Sequence, residues 1–284
     1  MTRIDETAYA KINLDLRICH RRPDGYHNLD SIVVFANVGD KLTFTPADDL
    51  TLTVDGPFGL DLSSDDDNLV IRAAKALAHL AGREARARIR LEKHLPIAAG
   101  IGGGSADAAA TLRGLIRLWK LPVTTSDLLP LATSLGADVP VCLKSTAARM
   151  QGIGDVLTSL SPPTSLPLVL INAGKAISTP DVFRALGEHS GLRSSKLDDV
   201  TRQGFRDHLQ SSVNDLESAA IQIEPIIRSV LDVISAEPGC FFARMSGSGA
   251  TCFGVFDTPG FRDAAVSTLK GRYPSWWVIG VDVR

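Results

Sequence analysis

Four glycines within five positions, Gly100 to Gly104, lead directly into a predicted helix, Ala106–Trp119. Apolar residues recur in that helix at helical spacing, and basic residues occupy its other side. Glycines at the start of a helix let the backbone approach a ligand closely, while unpaired N–H groups and the helix dipole favour negative charge. Ser105 suits either a helix cap or a hydrogen-bond donor to an oxygen. The pattern indicates phosphate binding.

Two common phosphate loops do not fit. A Walker A loop needs Lys and then Ser or Thr after its last glycine, whereas Ser105 and Ala106 follow Gly104 here. The dinucleotide fingerprint needs a third glycine or alanine where Ser105 stands. The preceding strand, Ala85–Glu92, alternates apolar and charged residues, unlike the fully buried strands of dinucleotide-binding sheets. A flexible glycine turn is the plain alternative, but the abrupt change to an Ala-rich helix favours phosphate binding.

The segment Pro96–Ala106 resembles the ATP loop of the GHMP small-molecule kinases, whose common form is Pro-x-x-x-Gly-Leu-Gly-Ser-Ser-Ala. Ile101 replaces the leucine, and Gly103–Gly104 replace the two serines, a form typical of one branch of the family. Further segments resemble that branch, in order, along nearly the whole chain. They are Ala10–Leu14, Arg22–His27, Asp67–Leu69, Gly136–Pro140, Asn214–Glu217 and Arg244–Ala250.

The resemblance implies an enzyme that uses ATP to phosphorylate the 2-hydroxyl of 4-diphosphocytidyl-2-C-methyl-D-erythritol, in the non-mevalonate route to isoprenoids. It also implies an α+β fold of two lobes. The N-terminal lobe would be a left-handed β-α-β unit similar to the second domain of ribosomal protein S5, and the C-terminal lobe would be ferredoxin-like. We expect two small-molecule partners, ATP and the cytidine diphosphate-linked methylerythritol, with no nucleic acid or membrane, in a monomer or weak homodimer.

The resemblance carries over two catalytic residues. Lys11 lies in a predicted strand, where an isolated lysine is usually solvated; Asn13 shares its face, since side chains alternate along a strand. The family match makes Lys11 the catalytic lysine, Asn13 a substrate contact and Asp138 the general base, with Lys11 near enough to keep that carboxylate ionised. The plain alternative for Asp138 is a helix cap, because Pro140 follows at a predicted helix start.

The remaining substrate contacts are also implied by the resemblance. Tyr26 is expected to stack on the cytosine, His27 to bond to it, and Phe183, after the turn that contains Thr179, to supply the second stacking surface. From the residues alone, Tyr26 and His27 suit an ordinary surface turn. The segment Ser246–Gly247–Ser248 is expected to close over the substrate and the transferred phosphate, although a hairpin turn explains its glycines equally well.

The expected ATP contacts are the loop and one residue before it. They are Pro96, Ile97, Ala98, Ala99, Gly100, Ile101, Gly102, Gly103, Gly104, Ser105, Ala106 and Asn68. Helix capping is an alternative for Asn68. The serine pair that helps to coordinate Mg²⁺ in other branches is replaced by Gly103 and Gly104, so we name no protein ligand and expect Mg²⁺ to arrive with ATP. Asp107 would repel a phosphate from the first helical turn; assisting the metal, pairing with a basic residue and pointing away all remain open.

The length and composition of the chain are compatible with a two-lobed small-molecule kinase. The chain has 284 residues, a length that suits two lobes. Its formal charge of −2 gives no electrostatic case for nucleic acid or an anionic membrane. The polar segment Met1–Thr7 has no signal-peptide core, and the four cysteines lie far apart, so we expect reduced, mostly buried thiols and a cytoplasmic setting.

Hydrophobic periodicity predicts the elements that position these residues, with a domain boundary near residue 160, at Ser161–Ser165. The predicted strands are Ala8–Cys19, Ser31–Val38, Lys41–Pro46, Leu50–Val54, Ala85–Glu92, Leu168–Asn172, a hairpin of Cys240–Ala243 with Thr251–Phe256, and Trp276–Val281. The predicted helices are Asn68–Ala81 (capped by Asp66 or Asp67), Ala106–Trp119, Ser126–Leu135, Ser211–Ser235 with a kink at Pro225, and Phe261–Lys270.

Two other functions are compatible with this fold. A GHMP kinase for a different small alcohol is one, and Tyr26, His27 and the triple glycine weigh against it. A nucleotide-binding regulator that has lost catalysis is the other, and the presence of Lys11, Asp138 and the loop argues against it.

Overall fold

A computed structural model describes residues 2–23, 25, 27–60, 62–161, 166–187 and 202–284 of the chain. The chain separates into two compact units that are interleaved along the sequence. Unit 1 comprises Met1–Lys11, Val38–Ile97 and Gly102–Ser145, and unit 2 comprises Ile12–Asn37, Ala98–Ile101 and Thr146–Arg284. Strands β1 (Ile4–Asn13) and β3 (His27–Thr45) contribute residues to both units. The domain boundary predicted near residue 160 stays a prediction, and most of the segment Ser161–Ser165, where it was expected, lies outside the described residues.

Unit 1 contains the expected β-α-β unit. Strands β4 (Leu50–Asp55) and β5 (Ala87–Glu92) pair in parallel, with helix α1 (Leu69–Leu80) between them in sequence. Residues Lys41–Thr45 of β3 pair antiparallel with β5. In β5, Ile89 and Leu91 are buried and Arg88 and Arg90 are exposed, so the predicted alternation is confirmed.

Three further helices complete unit 1. They are α2 (Gly103–Trp119), α3 (Thr125–Leu135) and α4 (Val139–Lys144). Helix α2 lies directly on the sheet, because a Cβ atom added at Gly114 would come within 2.3 Å of the Phe44 ring in β3. This close approach fixes the axis of α2 and therefore the position of its N-terminal end.

Unit 2 contains a four-stranded antiparallel sheet. Its strands are β8 (Pro167–Asn172), β9 (Cys240–Met245), β10 (Cys252–Phe256) and β11 (Trp277–Asp282), in the order β11-β8-β10-β9. Helices α5 (Thr179–Leu186), α6 (Arg202–Ser211), α7 (Glu217–Ile223) and α8 (Ile226–Ser235) separate β8 from β9, and α9 (Pro259–Arg272) separates β10 from β11. This β-α-β-β-α-β order confirms the expected ferredoxin-like lobe.

The core of unit 2 lies between this sheet and its helices. Val169 and Ile171 of β8 and Ile227, Val230 and Ile234 of α8 are among its buried members. Strands β2 (Arg17–Arg21), β6 (Ala148–Gly152) and β7 (Val156–Ser159) form a second antiparallel group in this unit. In that group β2 and β6 pair with the first part of β3, and β7 pairs with β6. No helix in the described parts of the chain combines the length and the hydrophobicity needed to cross a membrane.

Several predicted boundaries are wrong for identifiable reasons. The expected strand Ala8–Cys19 is interrupted after Asn13, because Leu16 leaves the sheet to exchange backbone hydrogen bonds with Val213 and Asp215. The two strands predicted around Gly39 are one strand, β3, and a Cβ atom at Gly39 would come within 2.3 Å of the Ala8 carbonyl oxygen. Gly39 therefore serves close strand packing rather than a turn.

The predicted helix ends also differ. The expected helix Ser211–Ser235 is two separate helices, α7 and α8, since α6 ends at Ser211, and Pro225 stands at the N-cap position of α8 instead of kinking a continuous helix. Asn68 caps α1, not Asp66 or Asp67. Helix α2 begins three residues earlier than expected, so Ser105 lies inside its first turn and is not its cap.

Candidate active site

The start of α2 presents unpaired backbone donors at an open surface. Gly102 occupies the N-cap position with φ of +64°, and no side chain caps the helix. The first backbone bond of the helix runs from the Ala106 N–H to the Gly102 carbonyl, 2.8 Å, and the preceding N–H groups have no acceptor within a helix. Gly104 is exposed. This end of α2 has the donors and the dipole that favour a phosphate, and it is open to solvent at Gly104.

Lys11 and Asp138 form an ion pair beside this helix end in unit 1. The Lys11 Nζ lies 2.7 Å from Asp138 Oδ2; the Lys11 side chain is 4% exposed and that of Asp138 is 31% exposed. A Cβ atom at Gly102 would lie 3.2 Å from the Lys11 Cβ, so the turn passes closely over the lysine stem. The structure thus brings the two predicted catalytic residues together.

The capping alternative for Asp138 is wrong. The residue stands at the N-cap position of α4, with Pro140 in the first turn, but its backbone is helical and its side chain makes no cap hydrogen bond. Its carboxylate instead pairs with Lys11 and remains partly open to solvent. A half-exposed carboxylate beside a buried ammonium is suited to accept a proton from a bound hydroxyl while the ammonium stabilises developing negative charge.

Beneath the same helix end lies a buried charge cluster of Lys93, Asp40 and Asp107, hereafter the Lys93 cluster. The Lys93 Nζ lies 2.5 Å from Asp40 Oδ2 and 2.6 Å from Asp107 Oδ2. Asp40 Oδ1 accepts the backbone N–H groups of His94 and Leu95 at 2.6 and 2.8 Å. Pairing with a basic residue is therefore the correct alternative for Asp107, and it explains how a carboxylate is tolerated there.

Burial shifts the protonation of this cluster. Desolvation raises the pKa of Asp107 to about 7, although the Lys93 ammonium works in the opposite direction. Burial opposes the charge of Lys93, but Asp107 and Asp40 outweigh it and raise the pKa of the ammonium. Sequence reasoning missed Lys93 and Asp40, because nothing local distinguishes them from the many exposed charges of the chain.

In unit 2, hydrogen bonds fix the first part of the glycine-rich stretch. The carbonyls of Ala98 and Ala99 accept backbone N–H groups, from Ile177 at 3.2 Å and Thr251 at 3.1 Å. The Ser246 hydroxyl donates to the Gly100 carbonyl at 3.0 Å. A Cβ atom at Gly100 would come within 2.4 Å of the Ser246 carbonyl oxygen, so only glycine fits. Ser246 thus positions the backbone of this stretch.

The loop between β9 and β10 is the expected hairpin connection, held by the Asn214 segment. Asn214 donates to the carbonyls of Met245 and Gly247, at 2.9 and 2.8 Å, and Glu217 accepts the Met245 N–H at 3.0 Å. The sequence indicated that the Asn214 segment resembles the family but gave it no role. Its role in the structure is to hold this loop.

Asn13 has a fixed side-chain orientation. The Ser31 hydroxyl donates its only proton to the Asp15 carbonyl, 2.6 Å, so it accepts from the Asn13 amide nitrogen, 2.8 Å. The Asn13 amide oxygen is buried, with no hydrogen-bond partner among the described residues. Behind Ser31, Asp15 accepts the Ile32 N–H at 2.5 Å and lies 3.0 Å from His208 Nε2. Neither Ser31 nor Asp15 was singled out by the sequence.

Two pairs of predicted substrate residues meet in unit 2. The rings of His27 and Phe183 stack, with centroids 4.9 Å apart, and the Thr179 and Ser248 hydroxyls are 2.7 Å apart. Gly247 is buried beside them in sequence. Tyr26 lies outside the described residues. The contacts that these side chains make with a substrate stay predictions.

The remaining predicted ATP residues have clear local positions. Asn68 is confirmed as the α1 cap, because it accepts the Val70 N–H at 2.9 Å and donates to the Ser63 carbonyl at 2.6 Å. Buried members of the loop are Pro96, Ala99, Ile101 and Ala106, and half-buried members are Ile97, Gly103 and Ser105. Their contacts with ATP stay predictions.

Within the described residues no group of three or more His, Cys, Asp or Glu side chains is arranged to hold a metal ion. Cys142 and Cys252 are buried, and Cys19 and Cys240 are half-buried. Burial raises the pKa of Cys142 to about 12, which keeps it protonated and unreactive.

Sequence comparison identifies both halves of the chain. The family described as "GHMP kinases N terminal domain" matches residues 68–146, and "GHMP kinases C terminal" matches residues 201–275. A protein of Rhodospirillum rubrum named 4-diphosphocytidyl-2-C-methyl-D-erythritol kinase is 47% identical over 273 residues, covering 96% of this chain and 90% of its own. The protein of the same name from Cereibacter sphaeroides is 48% identical over 279 residues, covering 95% and 96%.

Comparison with solved structures agrees with the sequence comparison. A crystal structure of 4-(cytidine 5'-diphospho)-2C-methyl-D-erythritol kinase matches with a TM-score of 0.81 and 32% identity over 99% of both chains. Homoserine kinase from Cytophaga hutchinsonii, at 16% identity, shares the fold with a TM-score of 0.75 over 100% of this chain and 95% of its own. Together with the glycine turn and the Lys11–Asp138 pair, these matches show that the chain belongs to the GHMP kinases and, within them, to the 4-diphosphocytidyl-2-C-methyl-D-erythritol kinase family.

Proposed function

We propose that this protein transfers the γ-phosphoryl group of ATP to the 2-hydroxyl of 4-diphosphocytidyl-2-C-methyl-D-erythritol, in the non-mevalonate route to isoprenoids. The observation that carries the proposal is the Lys11–Asp138 ion pair, 2.7 Å long, beside the open N-terminal end of α2. Relatives at 47% and 48% identity carry the name of this activity.

Each part of the unit 1 site has a role in this reaction. Asp138 takes the proton of the attacking hydroxyl, whose oxygen forms a bond to the γ-phosphorus as the bond to ADP breaks. Lys11 stabilises the negative charge that develops on the oxygens. The N–H groups at the start of α2 bind phosphate oxygens. These roles agree with the burial of the two side chains, because the proposed base, Asp138, is partly exposed and the proposed cation, Lys11, is buried.

Mg²⁺ is proposed to enter with ATP. The ion prefers phosphate oxygens and water to an all-protein cage, and the start of α2 offers donors rather than acceptors. When bound, it would neutralise phosphate charge. The described residues contain no cluster that argues for a separate protein-held metal.

The substrate side of the proposal rests on residues of unit 2. His27 and Phe183 form an aromatic pair suited to a flat base, with Tyr26 proposed from sequence as a further stacking residue. Asn13 offers a buried acceptor, and Thr179, Ser246 and Ser248 supply hydroxyls, all proposed as substrate contacts. A cytoplasmic location and a monomer or weak homodimer remain predictions.

A coupled ADP-release assay over a panel of alcohols tests the proposal. We expect turnover with 4-diphosphocytidyl-2-C-methyl-D-erythritol and little with homoserine, mevalonate or galactose. Preference for one of those alcohols would support a different GHMP activity. Tight ATP binding without ADP release from any alcohol would support the regulator, and both outcomes contradict the proposed reaction.

A further inference from the structure

The Lys93 cluster places an unbalanced charge directly under the proposed phosphate site. A Cβ atom at Gly103 would lie 3.2 Å from the Lys93 Nζ and 3.9 Å from Asp40 Oδ2, so the cluster touches the first residue of α2. All three side chains are at most 3% exposed. With both carboxylates ionised, one ammonium faces two negative charges, and the cluster carries a net charge of −1. That charge opposes a phosphate at the same helix end.

The hydrogen bonds identify which carboxylate can take up a proton. Asp40 uses both oxygens, accepting from Lys93 and from the backbone N–H groups of His94 and Leu95. Asp107 uses only Oδ2, toward Lys93, and its Oδ1 is buried with no hydrogen-bond partner among the described residues. A proton on Asp107 Oδ1 therefore costs no existing bond, whereas a proton on Asp40 would displace one.

Other charged groups near this part of α2 lie beside partners of their own. The imidazole of His94, next to Lys93 in the chain, is half-buried, with its Nε2 3.6 Å from Glu92 Oε2. Lys11 of β1 pairs with Asp138 before α4, and Arg113 of α2 pairs with Glu6 of β1 at 3.0 Å. On α1, the residues buried against its neighbours are apolar, and its charged Arg72 and Lys75 are exposed. On α3, Asp127 bonds to its own capping residue, Thr124. Cys142 of α4 is kept protonated by burial, which raises its pKa.

We propose that Asp107 is a positioning residue whose proton sets the charge beneath the start of α2, so that nucleotide binding there is coupled to proton uptake by the Lys93 cluster. The inference rests on the proposed phosphate site. Protonated Asp107 brings the cluster to zero net charge and keeps its bond from Lys93. A bound polyphosphate favours this neutral form, because it adds negative charge above the cluster. Nucleotide affinity should therefore fall as pH rises through the range in which Asp107 ionises.

The burial of Asp107 indicates the pH range in which it ionises. Desolvation raises the pKa of Asp107 to about 7, so the free protein contains both forms near neutral pH. An extra negative charge nearby raises the pKa further, and a shift of about one pH unit corresponds to a tenfold change in affinity. The direction is fixed by linkage: the state with the higher pKa is the bound one, so binding takes up protons.

The test is titration calorimetry of the full chain with ADP and saturating Mg²⁺, which keeps the nucleotide phosphates deprotonated. Between about pH 6 and pH 8.5 we expect the Kd of the unmodified protein to rise roughly 5- to 10-fold. Asp107→Asn keeps the size and an acceptor for Lys93 but holds the site neutral. Its Kd should stay nearly constant and match the low-pH value of the unmodified protein. Asp66→Asn, at an exposed residue paired with Lys75, should behave like the unmodified protein.

Proton uptake is measured directly by repeating the titration near pH 7 in buffers of different ionisation enthalpy. This measurement needs only the unmodified protein, so it decides the matter even if Asp107→Asn fails to fold. We expect net uptake of a fraction of a proton. Equal pH dependence in the unmodified protein and Asp107→Asn, or no uptake, overturns the inference while leaving the phosphate site intact. If ADP does not bind at any pH, the phosphate site itself is wrong, and the inference falls with it.

Discussion

Replacing Asp138 by Asn tests the proposed chemistry with the smallest change in structure. The substitution keeps the size of the side chain and an amide oxygen that can still accept from Lys11. It removes the basic oxygen that lies 2.7 Å from the Lys11 Nζ. Because Asp138 makes no capping hydrogen bond at α4, the change removes no helix cap. Its effect on turnover should therefore report on proton transfer.

Two magnitudes follow from the geometry. Loss of a general base lowers kcat by about 10²- to 10⁴-fold, with modest change in KM for either substrate. Stability should fall by about 1–3 kcal/mol, because Lys11 is 4% exposed and loses its counter-charge. We place the cost below that of a fully buried pair, since Asp138 is 31% exposed and water compensates part of the loss.

Steady-state kinetics and thermal melts separate the two effects. Asp127→Asn is a matched control, because Asp127 lies in a capping box with Thr124 at the start of α3 and should affect stability but not turnover. Lys11→Met should also lower kcat, and the double variant should lose less than the sum of the two in free energy, since the pair acts as one unit. Near-native kcat in a folded Asp138→Asn protein would refute the assignment of Asp138 as the base.

Four further outcomes are expected. Gly104→Val should weaken ATP binding by about tenfold or more with little change in melting temperature, since Gly104 is exposed and its Cβ would meet only the flexible Leu69 side chain at 3.3 Å; unchanged affinity by calorimetry contradicts the phosphate site. Phe183→Ala should raise KM for the cytidine substrate by about 5- to 100-fold and leave KM for ATP unchanged in steady-state assays; a rise for ATP instead would reverse the assignment of the base-binding pair. Ser31→Ala should lower kcat/KM by about tenfold in steady-state assays, because Asn13 loses the acceptor that fixes its amide. A lower melting temperature with unchanged kcat/KM would show that Ser31 has only a structural role. Burial raises the pKa of Asp107 to about 7, above its ordinary value, so the folded state holds this proton more tightly and stability falls by about 2–3 kcal/mol from about pH 5 to pH 8; denaturant melts of Asp107→Asn should lack this component.

The strongly periodic elements could be predicted from sequence. Alternation in β5 and helical spacing in α1 depend on local contrast between apolar and charged residues, and the structure confirms both. Gly39 could not be assigned in this way. In sequence it suggests a turn, yet it lies inside β3, where glycine is required because a Cβ atom would clash with the Ala8 carbonyl. A contact between distant segments therefore explains why this position is glycine.

The residues of the candidate site also differ in whether the sequence could reveal them. Lys11 and Asp138 were found because they sit in segments that resemble the family. Lys93 follows the Arg- and Glu-rich strand β5 and has the sequence neighbourhood of an exposed residue. Only its partners, Asp40 and Asp107, make its burial possible, and they lie 53 and 14 residues away. Local pattern therefore carries no signal for a buried charge that depends on distant counter-charges.

The four glycines of the motif have different structural roles. A Cβ atom at Gly100 would clash with the backbone of Ser246, one at Gly102 would press on the Lys11 stem, and one at Gly103 would approach the Lys93 ammonium. Substitution at any of these three positions would disturb the protein itself, so loss of activity there says little about a ligand. Gly104 alone among them is exposed and meets only a flexible side chain. A substitution at Gly104 is therefore the most direct test of phosphate binding, because packing within the protein does not explain why this position lacks a side chain.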